Sequence, residues 1–459
     1  GVINQGGGGM NKKISSVKFL NHSSVIIDSG STRILCDPWF KGAAFGNSWR
    51  LLVENSHSLN DLEYDYIFLS HEHPDHFSIP TLKELKGPKI FLYQKTKDKK
   101  VVKYLEAQGH TVIEFDHGIP NNIGDISVSI YVVDGYDSAV LFKLPNGESV
   151  LNINDCRIEL DTDLVMQMKK DAGGGIDLCL MQFSYANWAG NQNDSIIPEL
   201  LHTQTLDRNK IALDILKPTN HLLFASYVFF SHTENYYWND YFWLAEMERK
   251  LSKYSKSKII IPIPDESFLN IDNMKREYTN SSAIEFWSDA HANKIPVDDQ
   301  VTHFSIEELA SGFNLFVRNV WADNSLQLAQ EELNRIPLEI LVSDLDVILS
   351  LDLIEGTFST RHRDQRFDIQ VSSETVDFLF KNKFARGTVT INGRIQFNYP
   401  TAFKFFVFFF ISYANNIGRT FGSGKLTKKD IYSINHTSVL SAIHEVDPAG
   451  IGELSKYLE

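Results

Sequence analysis

The sequence predicts an α/β fold in which layers of β-sheet are covered by helices. Short apolar runs alternate with segments of helical spacing, most clearly at 89–93, 99–108 and 111–115, which indicate a strand, a helix and a strand. This rhythm is typical of layered α/β domains. A dense group of histidine and acidic residues directly behind another apolar run places a metal site at a strand end. With 459 residues, the chain is long enough for about two or three domains.

Further strand signals fill the first half of the chain, each a short apolar or alternating run bounded by turn residues. We expect these strands at 17–19, 25–27, 34–36, 126–133, 139–144, 149–153 and 178–181. Helical spacing at 79–85 ends at Lys86-Gly87-Pro88, which is a stop signal. The strands therefore outnumber the helices in this half.

The second half is less regular. Helical or mixed patterns occur at 306–310, 326–333 and 337–354, a strand is expected at 367–371, and Asn392-Gly393 predicts a hairpin over 387–397. We interpret 10–265 as the catalytic domain and 266–459 as an α+β appendage that closes over the site or pairs subunits into a homodimer. Residues 1–9 (GVINQGGGG) resemble a linker or expression tag in front of Met10 and are left out of the fold.

The composition, 43% hydrophobic and 22% charged, is that of an ordinary soluble protein. A net charge of −14 argues against nucleic acid as a partner. The three cysteines form no paired framework, which favours a reducing, cytoplasmic location. The most apolar run, 403–413, has eleven residues. A membrane-spanning helix needs ~20, so we expect a buried segment or dimer contact, with an interfacial membrane position as the alternative.

The histidine-rich motif is His71-Glu72-His73-Pro74-Asp75-His76, which follows the apolar run 66–69 and holds four metal-ligand types in six residues. Alternate residues of extended backbone lie on one side, so His71 and His73 can share an ion. Pro74 fixes a turn, after which Asp75 and His76 can bind a second ion. A solvated polar loop is the alternative, and the spacing argues against it.

This H-x-H-x-D-H pattern resembles that of the metallo-β-lactamase superfamily. Segments 19–28 and 32–39 resemble the opening hairpin and Asp-Pro turn of its lactonase-like and phospholipase-like members. Segments 152–156 and 224–235 resemble the branch that contains the CMP-N-acetylneuraminate hydroxylases. The resemblance covers roughly 14–265 and implies an αββα sandwich. Asp37, at the Asp-Pro turn, is expected to hold a ligand histidine through its second ring nitrogen.

The resemblance also implies the remaining ligands. Most of the superfamily has a histidine four residues before the serine that opens the next strand, and here that position is Asp134, with Asp137 and His117 as alternatives. Asp155 matches the bridging carboxylate. A late strand-end histidine is displaced by Phe224, and His232 is favoured over His221. The expected metal ligands are therefore His71, His73, Asp75, His76, Asp134, Asp155 and His232, with Asp75 and Asp155 as the catalytic carboxylates.

Other residues are expected to contact the substrate. His22, at a strand end, is a substrate contact, a supporting hydrogen-bond donor or a plain structural histidine. The polar and aromatic loop 182–190 is expected to form a pocket wall, although a surface turn would have the same composition. The predicted pocket residues are His22, Tyr185, Trp188, Tyr227 and Arg157.

The expected ligand set contains three carboxylates and four histidines. This proportion favours iron over zinc or manganese, since hard oxygen donors suit the higher oxidation states used with O2. A carboxylate in place of the third histidine also resembles the di-iron amino-acid hydroxylases of antibiotic pathways. The first hypothesis is an O2-activating di-iron oxygenase that hydroxylates or N-oxygenates a small or carrier-bound substrate. Sialic-acid hydroxylases carry a Rieske domain, but no cysteine here has C-x-x-C or C-x-H spacing, so we expect an external electron donor.

Two further hypotheses follow from the same residues. A zinc-dependent hydrolase of a lactone, amide or phosphoester would use Asp75 to orient or deprotonate a bridging water. A metal-free binding or scaffold protein would retain only the fold, and the intact motif argues against it.

Overall fold

The computed structural model describes residues 14–298, 300–424 and 426–459, so the expected linker at 1–9 lies outside the described residues. The strands are β1 (Ser16–Asn21), β2 (Ser24–Asp28), β3 (Arg33–Cys36), β4 (Ala43–Ala44), β5 (Trp49–Leu51), β6 (Tyr66–Phe68), β7 (Ile90–Gln94), β8 (Thr111–Phe115), β9 (Asn121–Ile123), β10 (Ile126–Val133), β11 (Asp137–Lys143), β12 (Ser149–Asn154), β13 (Leu178–Gln182), β14 (Asn220–Phe224), β15 (Val228–Phe230), β16 (Lys258–Ile260), β17 (Ser267–Leu269), β18 (Pro337–Val342), β19 (Val347–Asp352), β20 (Thr357–His362), β21 (Ile369–Val371) and β22 (Gln396–Phe397).

The helices connect and cover these strands. They are α1 (Ile79–Leu82), α2 (Lys100–Ala107), α3 (Thr162–Asp171), α4 (Ile196–Leu216), α5 (Leu244–Tyr254), α6 (Asn280–Ala292), α7 (Ile306–Asp323), α8 (Leu326–Leu333), α9 (Ser373–Lys381), α10 (Ala385–Asn392), α11 (Phe403–Phe408), α12 (Phe410–Asn416), α13 (Lys428–Ile431), α14 (Ser438–Val446) and α15 (Ala449–Leu458). Short 3-10 turns lie at Leu59–Asp61, Ile158–Leu160, Tyr236–Asp240, Tyr399–Thr401 and Tyr432–His436.

Two seven-stranded sheets form the amino-terminal half. Their strand orders are β17-β1-β2-β3-β6-β7-β8 and β16-β14-β13-β12-β11-β10-β9. β3, β6, β7 and β8 run parallel in the first sheet, as do β12, β13, β14 and β16 in the second. Because parallel strands end at the same edge, the loops that follow β3 and β6 lie side by side, and so do those that follow β12 and β13.

The period of two in each strand explains the layers. In β3, Ile34 and Cys36 belong to the core between the sheets, whereas Leu35 packs on the opposite face with residues of α2. In β12, Val150 faces the shared core and Leu151 packs with residues of α3 and α4. Side chains of a strand alternate between faces, so each sheet has one face toward its partner and one toward helices. The expected αββα sandwich is confirmed.

The carboxyl-terminal region contains a sheet of order β20-β19-β18-β21-β22 with helices packed against it. The run 337–354, expected to be helical or mixed, is the antiparallel pair of β18 and β19. The expected buried segment at 403–413 is confirmed, since α11 and the start of α12 lie in this core. β17 pairs with β1 of the first sheet, so the chain returns to the sandwich after residue 265. The division at 265 stays a prediction.

The hairpin expected over 387–397 is wrong. Residues 385–392 form α10, and Gly393 ends this helix with φ +69°. An Asn-Gly pair suits both a hairpin turn and a helix end because each requires positive φ. Within the described ranges, no helix combines the length and apolar character needed to cross a membrane.

Candidate metal centre

The histidine-rich loop follows β6 at the sheet edge where β3 also ends. Asp37, one residue beyond β3, is fully buried with a left-handed backbone, φ +39°. Its carboxylate accepts hydrogen bonds from the Ser70 backbone N–H at 2.8 Å and from Ser70 Oγ at 2.6 Å. These bonds join the two strand ends and fix where the motif begins.

The first donor group contains His71 and Asp155, with His73 beside His71. The ligand atoms of His71, His76 and Asp155 all lie within 4.8 Å of one another. His71 Nε2 lies 3.0 Å from His73 Nδ1 and 3.8 Å from Asp155 Oδ2. The other ring nitrogen of His71, Nδ1, lies 3.0 Å from Asp137 Oδ1 and 2.8 Å from Ser70 Oγ. Partners on Nδ1 hold the ring, which leaves Nε2 for an ion.

The second donor group contains His22, Asp75, His76 and Asp155. Asp75 Oδ2 lies 3.0 Å from His22 Nε2 and 3.2 Å from His76 Nε2. His76 Nε2 lies 3.1 Å from Asp155 Oδ1. His76 Nδ1 lies 2.8 Å from Asp37 Oδ2, which is the support expected from the sequence. Asp155 contributes one oxygen to each group, as a bridging carboxylate would.

Burial and charge oppose each other in this centre. Burial, and then the nearby His71, lower the pKa of His73 to about 3. Burial disfavours the charged form of His76, but the adjacent carboxylates of Asp155 and Asp75 outweigh it and raise the pKa of His76 well above its usual value. Burial likewise opposes ionisation of Asp155, yet His76 and His71 lower the pKa of this carboxyl. The carboxylates are thus kept ionised by neighbouring positive charge, the role that a bound cation fills.

The donor atoms fit metal ions. His76 Nε2 and Asp155 Oδ1 are both buried without a hydrogen-bond partner in the part of the chain that the structure describes. Two donors held at ~2.1 Å from one ion at right angles are ~3.0 Å apart. Four of the separations, 3.0 to 3.2 Å, match that value, and the distance from His71 Nε2 to Asp155 Oδ2 is longer, at 3.8 Å. Nitrogen and carboxylate donors of this kind bind iron, zinc or manganese.

Two predicted ligands are not brought to these groups. Asp134 lies exposed on the turn between β10 and β11, with φ +55°, and nearby Asp137 contacts His71 instead. His232 lies 3.4 Å from Glu234 and 3.8 Å from Asp298, outside both groups. Its segment continues past β14 into β15, which pairs with β5 and carries the chain away from the centre.

His221 and His117 have structural partners outside the centre. His221 Nε2 lies 2.9 Å from Asn209 Oδ1 of α4. His117 Nδ1 accepts a hydrogen bond from the Val132 backbone N–H at 2.8 Å. Neither histidine belongs to a donor group.

A cavity of about 480 Å³ opens beside the centre. Of the predicted pocket residues, Tyr185 and Arg157 line it. Trp188 does not, because it is buried against the carboxyl-terminal region, where its Nε1 donates to the Ile395 carbonyl at 3.2 Å. Tyr227 is also a core residue, stacked on Trp287 at 4.1 Å.

The cavity also has lining residues that the sequence did not indicate. Ser438 and Ser441 of α14 form part of the cavity wall, and Asn187 Nδ2 donates to Ser438 Oγ at 3.3 Å. Nothing in the sequence around these serines points to a site, since they reach it only through the packing of α14 against α4. Tyr136 also lines the cavity and packs on His73 with ring centroids 5.0 Å apart.

The fold and its donor groups define an αββα domain of the metallo-β-lactamase type. Residues 16–166, which include the motif and Asp155, match the family model of a beta-lactamase superfamily domain. This part of the chain, about a third of its length, therefore matches the superfamily that the motif predicted.

The chain is similar to curated hydroxylases. It is 26% identical over 239 residues to the cytidine monophosphate-N-acetylneuraminic acid hydroxylase of Danio rerio, covering 48% of this chain and 40% of that one. It is 27% identical over 327 residues to the inactive human protein of that name, covering 66% and 64%. The matched region thus spans less than two thirds of either relative.

The chain is also similar to solved structures. One is CmlA, a diiron beta-hydroxylase from Streptomyces venezuelae, with 14% identity, TM-score 0.39, and coverage of 57% of this chain and 54% of that one. Another is the isothiocyanate hydrolase from Delia radicum gut bacteria, with 15% identity, TM-score 0.41, and coverage of 55% and 98%. All three cysteines of the present chain are free and buried. Its location, its pairing into a dimer and its electron donor stay predictions.

Proposed function

We propose that this chain is a dinuclear metal enzyme that uses O2 to hydroxylate a small or carrier-bound substrate. The observation that carries the proposal is the first donor group, in which the imidazole of His71, with that of His73 beside it, faces the carboxylate of Asp155. Two histidines and one carboxylate with open positions are typical of non-haem Fe(II) oxygenases. The hydroxylase names of the curated relatives support the same reaction class.

Iron is favoured here on different grounds from those that the sequence offers. The ligand set expected from the sequence has three carboxylates only if Asp134 is included. In the structure the carboxylate beside the first group belongs to Asp137, and it contacts Nδ1 of His71, the nitrogen that faces away from the ion. The preference for iron therefore rests on the arrangement of the three donors and on the relatives, and not on the number of carboxylates.

The residues around the centre have separate roles in this proposal. Asp137 and Ser70 hold the His71 ring, and Asp37 holds that of His76. Two iron ions bound here would supply the activation of O2. Hydroxylation of a C–H bond consumes one O2, two electrons and two protons and releases water, so an external electron donor is required.

The cavity gives the substrate its place. Its wall combines the aromatic rings of Phe45 and Trp49 with the guanidinium of Arg157, whose Nε lies 3.6 Å from Glu159 Oε1. The wall also carries the carboxylates of Asp134, Asp137, Asp207 and Glu159, so Arg157 is one of two guanidinium groups on a mainly acidic lining. Cytidine monophosphate-N-acetylneuraminic acid is the first compound to test, because the relatives are named for it.

Metal analysis and oxygen uptake test the proposal. We expect about two iron ions per chain after anaerobic loading, a visible absorption that changes on reduction, and a product heavier by one oxygen atom. His73→Ala should lose iron and turnover. His362→Ala is the matched control, because this histidine is exposed on β20. Two zinc ions with turnover of lactone or phosphodiester substrates would instead establish the hydrolase, and absence of bound metal would refute both.

A further inference from the structure

We propose that His22, in the turn between β1 and β2, is a metal ligand of the second donor group. The inference rests on the proposed dinuclear function and adds a ligand from a part of the chain about fifty residues before the motif. Without His22, the second group has Asp75, His76 and the shared Asp155. With it, the group has four protein donors, two imidazoles and two carboxylates.

The distances place His22 among the ligands. Its Nε2 lies 3.0 Å from Asp75 Oδ2, as close as His76 Nε2 is to either carboxylate. His22, Asp75 and His76 together satisfy the spacing of ligand atoms around one ion. All three side chains are buried. They are therefore not a group of solvated surface residues that lie together by chance.

The backbone fixes His22 in this position. The backbone of His22 has φ +46°, in the left-handed region that non-glycine residues adopt only at a cost in conformational energy. Its carbonyl accepts a hydrogen bond from the Ala225 backbone N–H at 2.8 Å, and Ala225 also has positive φ, +55°. Two strained residues are therefore joined beside the centre, one before β2 and one after β14.

This junction explains how His22 supplies the ligand atom that is missing at the end of β14. The residues there, Phe224 and Ala225, offer no side-chain ligand atom, and His232 lies elsewhere. The tie between Ala225 and His22 brings an imidazole from the first sheet to the end of a strand in the second. The ring of Trp39 packs edge-on against His22 at 5.3 Å between centroids and restricts its rotation.

The competing hypothesis is that His22 is a structural residue that only donates a hydrogen bond to Asp75. A substitution by glutamine distinguishes the two hypotheses. His22→Gln keeps an N–H donor of similar reach but supplies a poor metal ligand. We expect the second metal ion to bind His22→Gln on the order of 100-fold or more weaker, as in His76→Gln. Asp37→Asn, which alters the support of His76 and the bonds to Ser70 but removes no ligand, should weaken binding by about 10–100-fold.

The experiment is an anaerobic competition titration with Fe2+ of the full chain. His57→Gln is the matched control, since His57 forms a similar pair with Asp265, at 2.6 Å, outside the centre. An anomalous difference map of iron-loaded wild-type crystals gives a reading independent of variant folding, with the ion expected at bonding distance from His22 Nε2. If His22→Gln binds two ions with unchanged affinity, or if the map places the ion away from His22, the inference is overturned while the proposed function stands. If the wild-type chain binds no metal, both are overturned.

Discussion

Asp134 and Asp137 lie three residues apart, at the turn between β10 and β11. Only Asp137 contacts the centre, with Oδ1 3.0 Å from His71 Nδ1. A carboxylate at this position fixes the ring orientation and increases the basicity of the opposite nitrogen. The exposed Asp134 has no such contact among the residues that the structure describes. The two carboxylates should therefore respond differently to the same substitution.

We predict that Asp137→Asn weakens metal binding by about 10–100-fold, because the neutral amide is a poorer acceptor for the His71 ring. Asp134→Asn, the matched control three residues away, should leave the affinity unchanged. Competition titration with Fe2+ or Zn2+ measures both. The reverse order of effects would restore Asp134 to the ligand set that the sequence implied.

His221 gives a second prediction at the residue scale, concerning stability. Burial lowers the pKa of His221 to about 4, and its Nε2 bonds to Asn209. The unfolded chain binds a proton at this residue near pH 6.5, whereas the folded chain stays neutral down to about pH 4. The unfolded state thus binds more protons in that window, so stability is complete above pH 6.5 and declines as the pH falls toward 4.

The expected contribution of His221 is at most about 3 kcal/mol across this window. In His221→Gln, which retains a donor for Asn209, the difference in unfolding free energy from wild type should shrink as the pH decreases from 6.5 to 4. Urea unfolding at intervals of pH measures it. Parallel curves for the two proteins would contradict the assignment.

At the scale of elements, the end of α10 shows how one glycine joins two parts of the chain. Gly393 has φ +69°, and a Cβ built on it would lie 1.6 Å from the ring of Trp238. Trp238 follows β15, while α10 belongs to the carboxyl-terminal region, so the missing side chain permits their contact. The Asn-Gly pair suggests a hairpin because the sequence encodes the positive φ but not the distant ring that requires it.

Gly393→Ala should lower the free energy of unfolding by about 2–4 kcal/mol, from the left-handed backbone and the clash together. The control is Gly109→Ala after α2, where φ is +87° and no atom lies within 4 Å of the added Cβ. That variant should lose about 1–2 kcal/mol, from the backbone alone. Equal losses in chemical unfolding of the two variants would mean that Trp238 moves aside freely.

At the scale of the whole molecule, the features predicted from sequence are those encoded by neighbouring residues. The strands of the sandwich follow from period-two alternation, and the pairs His71 with His73 and Asp75 with His76 follow from spacing within one loop. Features that depend on distant segments cannot be obtained in this way. His22 reaches Asp75 through the junction of two sheets, and Ser438 reaches the cavity through the packing of α14.

The same distinction explains the residues placed wrongly. Trp188 and Tyr227 have the composition of pocket residues, but their surroundings decide otherwise. Trp188 is covered by the strand region around Ile395, and Tyr227 by Trp287 of α6. An aromatic residue beside a strand end serves a core and a pocket equally well, so only the tertiary fold distinguishes the two.

The carboxyl-terminal region shares its apolar core with the sandwich, and this leads to the final prediction. Trp39, Trp49 and Trp238 are almost completely buried in one cluster with residues of α7, β18 and α11. A fragment ending at residue 298 would expose these rings, and large exposed apolar patches promote association. We expect this fragment to bind a hydrophobic dye and to unfold less cooperatively than the full chain. The opposite result is a monomeric fragment that has native near-ultraviolet circular dichroism and full metal content. It would show that the sandwich is an independent folding unit, since its core would then be complete without α7 and β18.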